Sequence, residues 1–257
     1  MSNELKACLK VSFKKSVEYR FEVIMFLIAT LFNISFILIF WYSVARVFNL
    51  PVDYSQMDIL LFSALTVFSS AINEMFFCNN VLPYEINDGS LDTYLIKPGN
   101  KVMLYIFNNM NVASFATNLV IALVFGAIAV ILGHYSGLNI LIAIVLVIVG
   151  VVDMALISAI IALSSFWFGI VDNIRNIIYS FEEIKKYPMR LFPSLIRVLF
   201  TFVIPISLIT YYPFEIAIGN MNLDLTVIAV YAVINLCLIL VFKKMLKEGL
   251  ARYESNN

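Results

Sequence analysis

Leu82-Pro-Tyr-Glu-Ile-Asn-Asp-Gly-Ser-Leu-Asp-Thr-Tyr-Leu-Ile-Lys-Pro98 is a short polar island set between apolar stretches of membrane length. Upstream of it, Val23 to Ala45 carries no charge, and Ile59 to Tyr84 is interrupted only by Glu74. Downstream, uncharged stretches run from Val102 to Val152, Met154 to Val171, Val198 to Phe214 and Leu225 to Phe242. A hydrocarbon core about 30 Å thick takes roughly 20 helical residues to cross, so the stretch from Val102 must hold two passes. Their turn is expected at Gly133-His-Tyr-Ser-Gly137. The expected fold is all-α, a single polytopic membrane domain over 1–257 with six spans.

Composition agrees with the pattern. Hydrophobic residues make up 62% of the chain, charged residues 13%, and the mean hydropathy is +0.94, far from the balance of a soluble domain. With Lys+Arg and Asp+Glu equal at 17 each, the net charge is zero and carries no nucleic-acid footprint. The Lys and Arg positions set the orientation, because basic loops stay on the cytoplasmic side. With the N-terminus inside, sixteen of the seventeen fall inside. These are Lys6, Lys10, Lys14, Lys15, Arg20, Lys97, Lys101, Arg175, Lys185, Lys186, Arg190, Arg197, Lys243, Lys244, Lys247 and Arg252, leaving Arg46 outside. Both termini are therefore expected in the cytoplasm.

The first apolar run is too long for the h-region of a cleavable signal peptide and lacks a small-residue cleavage site, so it is expected to be retained. Leu5, Leu9, Phe13 and Val17 recur at steps of four beside Lys6, Lys10 and Lys14, which predicts an interfacial helix over 1–20 in the inner headgroup layer. Over 172–194, Ile174, Ile177, Ile178, Phe181 and Ile184 stand opposite Glu182, Glu183 and Lys186, predicting a second inner-surface amphipathic segment.

Self-contained catalysis has no candidate. His134 is the one histidine and falls in a predicted outer turn, and no Ser/His/Asp, Cys/His or HExxH set can be assembled. No glycine is followed by lysine, so the phosphate-cradling GxxxxGK[ST] loop is absent. Cys8, Cys78 and Cys237 have neither metal-ligand spacing nor a disulfide framework, and no metal site is expected. The chain reads as a non-enzyme that binds no cofactor of its own.

Ile86-Asn-Asp-Gly-Ser-Leu-Asp92 followed by Leu95-Ile-Lys-Pro98 resembles the "GtLD…LlkP" stretch of permease subunits of type-2 ATP-binding-cassette exporters, with Gly89-Ser90 where a typical member has Gly-Thr. Tyr187-Pro188, Thr201-Phe-Val-Ile-Pro-Ile206 and Tyr211-Tyr-Pro213 resemble later segments of the same subgroup, whose genes often encode two related permeases and one ATPase. The resemblance covers essentially the whole chain. It implies a bacterial plasma-membrane exporter subunit working with a second permease, either a copy or a related chain, and with a cytoplasmic ATPase that holds the ATP and magnesium. It also implies that 82–98 is a coupling element docking on that ATPase, and that 205–223 is an outer re-entrant or gate segment.

Elementary chemistry fits those roles. Leu82, Ile86, Leu91 and Leu95 are expected as apolar knobs toward the ATPase, with Glu85, Asp88 and Asp92 fixing register by charge and Gly89-Ser90 forming the break. The same Asn-Asp-Gly sequence also suits an ordinary solvated turn. Ionisable groups inside spans cost about 2.5–3.5 kcal/mol on insertion scales, which singles out Asp153, with Asn118 as its expected polar partner or as a fellow lining of a translocation path. Glu74 is expected near the inner interface, packed on Asn79, Asn80 or a basic neighbour. Pro205, Tyr211, Tyr212 and Pro213 mark broken backbone near the outer side, the expected gate; the two tyrosines equally suit an interface belt. The apolar, aromatic-rich spans favour an amphiphilic or hydrophobic cargo. A secondary transporter or channel would instead call for intramembrane charge pairs and an internal repeat, and a membrane scaffold would make the island freely replaceable.

Overall fold

The computed structural model describes residues 20–47, 54–76, 78–97 and 100–253, so the expected interfacial helix over 1–20 lies outside the described residues save Arg20. Among the described residues the chain is helical without a strand. Helices α1 (Arg20–Val47) and α2 (Gln56–Asn73) are followed by α3 (Cys78–Asp88), the four-residue α4 (Asp92–Leu95) and α5 (Lys101–Asn109). Then come α6 (Val112–Gly133), α7 (Gly137–Leu163), α8 (Ser165–Phe168) and α9 (Asp172–Glu182). The chain ends with α10 (Ser194–Phe202), α11 (Tyr211–Ala217) and α12 (Leu225–Arg252).

The local sequence explains where these helices begin and end. Ser55 opens α2 with a capping box, its hydroxyl taking the Asp58 N–H while the Asp58 carboxylate takes the Ser55 N–H. Asn100 and Asn111 cap α5 and α6 through Met103 and Ser114. The turn between α6 and α7 falls where it is expected, with His134 in the left-handed region at φ 54°. Tyr135 then donates its hydroxyl to Asp58, fastening this turn to the start of α2.

Small residues let the helices approach. A Cβ on Gly126 of α6 would stand 3.7 Å from Ala64 of α2, an ordinary contact between two helices that pack along each other. Ile34 of α1 is buried with Val67, Ile121 and Ala122. Two larger apolar cores follow the length of the bundle. One gathers Phe62, Val147, Ile206 and Phe214 around its middle, and the other gathers Leu82, Leu91, Tyr94, Leu104 and Leu163 at the inner end. The outward faces of α1, α6 and α12 expose Phe32, Phe36, Leu123, Ile131, Leu225 and Leu240, as a lipid solvent requires and water forbids.

Four helical stretches are long and apolar enough to cross a membrane among the described residues: Gln56–Asp88, Val112–Gly133, Gly137–Phe168 and Leu225–Arg252. The pair Ser194–Phe202 and Ile206–Ala217 would make five if counted as one, but it is bent by 80°. The uncharged stretch from Val198 to Phe214 is thus sharply bent, and Pro205 removes a backbone donor at the corner. Within α1, the apolar run Ile24–Phe40 falls short of that length.

The segment 172–194 is tied to both ends of α2. Arg175 donates to the Asn80 carbonyl, Glu182 accepts from Asn73, and Arg190 lies 5.7 Å from the Tyr54 ring. Asn73 ends α2 and Tyr54 precedes it, and 18 helical residues separate the two levels by about 27 Å at 1.5 Å per residue. The segment therefore runs along α2 rather than resting at one end of it. Part of its apolar stripe, Ile178, Phe181 and Ile184, packs on the core, while Ile174 and Ile177 remain exposed, and Lys185, 5% exposed, pairs with Glu182 at 3.1 Å.

Candidate coupling element and gate

The polar island folds as α3, a turn and α4. Gly89 adopts φ 82°, a left-handed conformation that a Cβ would strain, and the Leu91 N–H returns to the Glu85 carbonyl at 3.2 Å to close the helix end. Asp88 takes both the N–H and the hydroxyl of Ser90, at 2.9 and 2.6 Å. Tyr94 is buried edge-on against Tyr105 with ring centroids 4.8 Å apart, and its hydroxyl accepts from Asn108 at 2.8 Å. From the far end of the chain, Tyr253 donates to the Gly89 carbonyl at 2.8 Å. Burial and the nearby Asp92 carboxylate hold the Tyr253 phenol above its ordinary pKa, so it remains a donor.

This arrangement corrects the expected direction of the apolar knobs. Leu82, Ile86 and Leu91 are buried, and Leu95 packs against them, in a core completed by Ala162 and Leu163 of α7 and by Phe242 and Leu246 of α12. A four-residue apolar rhythm reads the same whether the stripe meets a partner or its own bundle, and here the inner ends of α7 and α12 take it. The face left outward is mostly polar: Asn87, Asp88, Ser90 and Thr93, with Tyr84 and Ile96 as its large side chains. Glu85 and Asp92 are half-buried. Tyr84 donates to Asp172, which pairs with Arg175 at 2.6 Å, so the island is also tied to the start of α9.

Asp153 and Asn118 do not meet. Asp153 is fully buried on α7 and accepts from Asn235 of α12 at 2.8 Å, while its second oxygen has no hydrogen-bond partner among the described residues. Asn118 faces the opposite neighbour, accepting from Thr30 of α1 at 2.8 Å and donating to Ser114 at 3.3 Å. The expected pairing is corrected accordingly: each residue joins its own helix pair. Glu74 lies beside Ser114, feels the charge of Lys185 and lines a cavity with Asn79 and Asn80, the neighbours expected for it.

The gate residues sit around the bend. The Leu208 carbonyl accepts from Tyr231 at 2.6 Å and would stand only 2.5 Å from a Cβ at Gly150, so α7 admits this turn because position 150 has no side chain. Thr210 donates to the Lys185 carbonyl at 2.8 Å. Pro213 occupies the first turn of α11, where its missing N–H costs nothing. Tyr211 is buried against Tyr212, with ring centroids 5.4 Å apart. Two residues that the sequence did not single out lock the bend. Glu215, 1% exposed, receives Arg190 at 2.7 Å and the Tyr54 hydroxyl, while Phe214 packs edge-on against Tyr54 and Phe62. A charge inside an apolar segment was the available signal, and Glu215 carried it in Pro205–Glu215.

Membrane-length helices, a pinned polar turn and a bent segment between the last two long elements define a polytopic membrane protein. The family comparison is specific: the model of the ABC-2 family transporter protein matches residues 27–257, and the chain belongs to that family. No curated protein and no solved structure matches the chain. It is thus a multi-pass membrane permease of ABC transporters, a family of transmembrane components that are generally non-catalytic and work with an ATP-binding-cassette component.

Proposed function

We propose that this chain is the membrane subunit of an ATP-driven exporter that couples hydrolysis in a separate ATPase, the holder of ATP and magnesium, to outward movement of an amphiphilic or hydrophobic cargo. The carrying observation is the turn at Gly89, held by Tyr253 and presenting Asp88 and Ser90 outward. A rigid polar knob on an apolar footing transmits force where a floppy loop would absorb it. In this reading the chain crosses a bacterial plasma membrane six times, with both termini cytoplasmic.

A second permease, a copy or a related chain, completes the pathway. A groove of about 650 Å³ between α1 and residues 183–187 supports both this and the class of cargo. Phe32, Phe36 and Phe40 line it beside Glu183, Lys186 and Tyr187, an apolar wall with a polar edge. The test is a mild-detergent pull-down from native membranes comparing the wild type with a Gly89→Pro, Leu91→Asp double variant by mass spectrometry. Recovery of an ATP-binding-cassette ATPase with the wild type and its loss from the folded variant is expected. Absence of any ATPase from folded wild-type protein would overturn the reading.

A further inference from the structure

At the inner end of the bundle the coupling element does not pack solidly onto its neighbours. It leaves an apolar cavity of about 210 Å³, walled by Leu82, Tyr105, Leu163 and Leu246 from α3, α5, α7 and α12. Engineered cavities of about 150 Å³ lined by such side chains stay dry and take apolar guests, so this space is a poor home for water. At its mouth on α5 stand Lys101 and Val102. Val102 and Met103, 39% and 47% exposed, mark the surrounding surface as one that faces apolar solvent, while exposed Lys101 and Lys97 supply positive charge at the same edge. Lys97 is held over the Tyr94 ring at 4.8 Å. On α12 the cavity-lining Phe242 and Leu246 alternate with Lys243, Lys244 and Lys247, as in a helix leaving the hydrocarbon for the inner headgroup layer.

We propose that this cavity takes an acyl chain of an anionic membrane phospholipid whose headgroup sits at Lys101. The apolar walls fit the chain. Lys101 lies at the N-terminus of α5, where Asn100 caps the Met103 N–H and the helix dipole favours an anion. The bound chain would act as a removable filler between the coupling element and the helices it moves, making the stiffness of that joint depend on inner-leaflet composition. The inference concerns this chain and its lipids, and stands or falls independently of the cargo and of the ATPase.

Native mass spectrometry of the full-length protein, released from detergent with added phosphatidylglycerol or phosphatidylcholine of matched chains, tests it. The wild type is expected to retain phosphatidylglycerol preferentially. Lys101→Gln should lower that retention about fivefold, the effect of one lysine near an anionic lipid, and leave phosphatidylcholine unchanged. Val102→Trp at the mouth and Ala159→Phe in the wall should abolish retention of both, with unfolding temperatures confirming that each variant is folded. Equal retention of the two lipids by the wild type would overturn the proposal, as would undiminished phosphatidylglycerol on folded Val102→Trp. Competition by free glycerol phosphate as effective as by intact lipid would assign the site to the headgroup alone and equally overturn it.

Discussion

Tyr253 donates its hydroxyl to the Gly89 carbonyl at 2.8 Å, a bond that spans 164 positions of the chain and fastens the last helix to the turn of the polar island. Removing that hydroxyl with Tyr253→Phe should cost about 0.5–1.5 kcal/mol. The edge-on packing of the ring on Phe166 would remain. The expected result is a small drop in unfolding temperature accompanied by a clear drop in ATPase recovered by pull-down. An unchanged pull-down would show that the bond does not hold the docking face.

Arg190 and Glu215 should respond asymmetrically. Glu215 is buried, whereas the Arg190 side chain is 38% exposed and can regain water. Arg190→Met therefore leaves a buried carboxylate with only Tyr54 as donor, at a cost of about 3 kcal/mol, the lower end for a broken buried pair. Adding Glu215→Leu to that variant should recover part of the loss. Thermal unfolding of the single and double variants in one detergent measures it, and a double variant less stable than Arg190→Met would refute the assignment.

Glycines 150 and 137 make a matched pair. A Cβ at Gly150 meets the backbone of Leu208 and Ile209 within 3 Å, where nothing flexible can yield, while a Cβ at Gly137 meets nothing within 4 Å. Gly150→Ala should destabilise by about 1–3 kcal/mol through overpacking. Gly137→Ala should be neutral or slightly stabilising, because glycine costs helices backbone entropy. Unfolding midpoints of the two variants decide the matter.

Double-mutant cycles should separate the two buried polar pairs. Asp153→Asn with Asn235→Ala should be non-additive, since one hydrogen bond joins the two side chains. Asp153→Asn with Asn118→Ala should add within about 0.5 kcal/mol, as for sites without shared partners. Coupling in the second cycle would restore the pairing that the sequence suggests.

Helix existence was legible because lipid imposes a simple rule: long uncharged runs must be helical, and the turn at Gly133 to Gly137 has to fall within a stretch twice the needed length. The break at Gly89 was legible from Asn-Asp-Gly chemistry. What the sequence could not tell is direction. Leu82, Ile86 and Leu91 keep the same spacing whether they meet a partner or Leu163, and only the folded chain shows which. The path of 172–191 was hidden for a related reason. Its charges read as a surface helix, because two partners that tie it to the bundle, Glu215 for Arg190 and Asn73 for Glu182, are remote in sequence. Asp153 was conspicuous, but its partner lay in the last helix rather than in the one that hydropathy made prominent.

Helix α12, with 28 residues, is a rod about 42 Å long. It is touched near its outer end by Leu208 through Tyr231, near its middle by Asp153 through Asn235, and just past its inner end by Gly89 through Tyr253. Three such attachments make a first-class lever with its fulcrum at the Asp153–Asn235 bond. A sideways push on the arm that carries Tyr253 would reach the bend at Leu208 with its sign reversed and, because the arm to Tyr231 is much the shorter, with reduced travel and greater force.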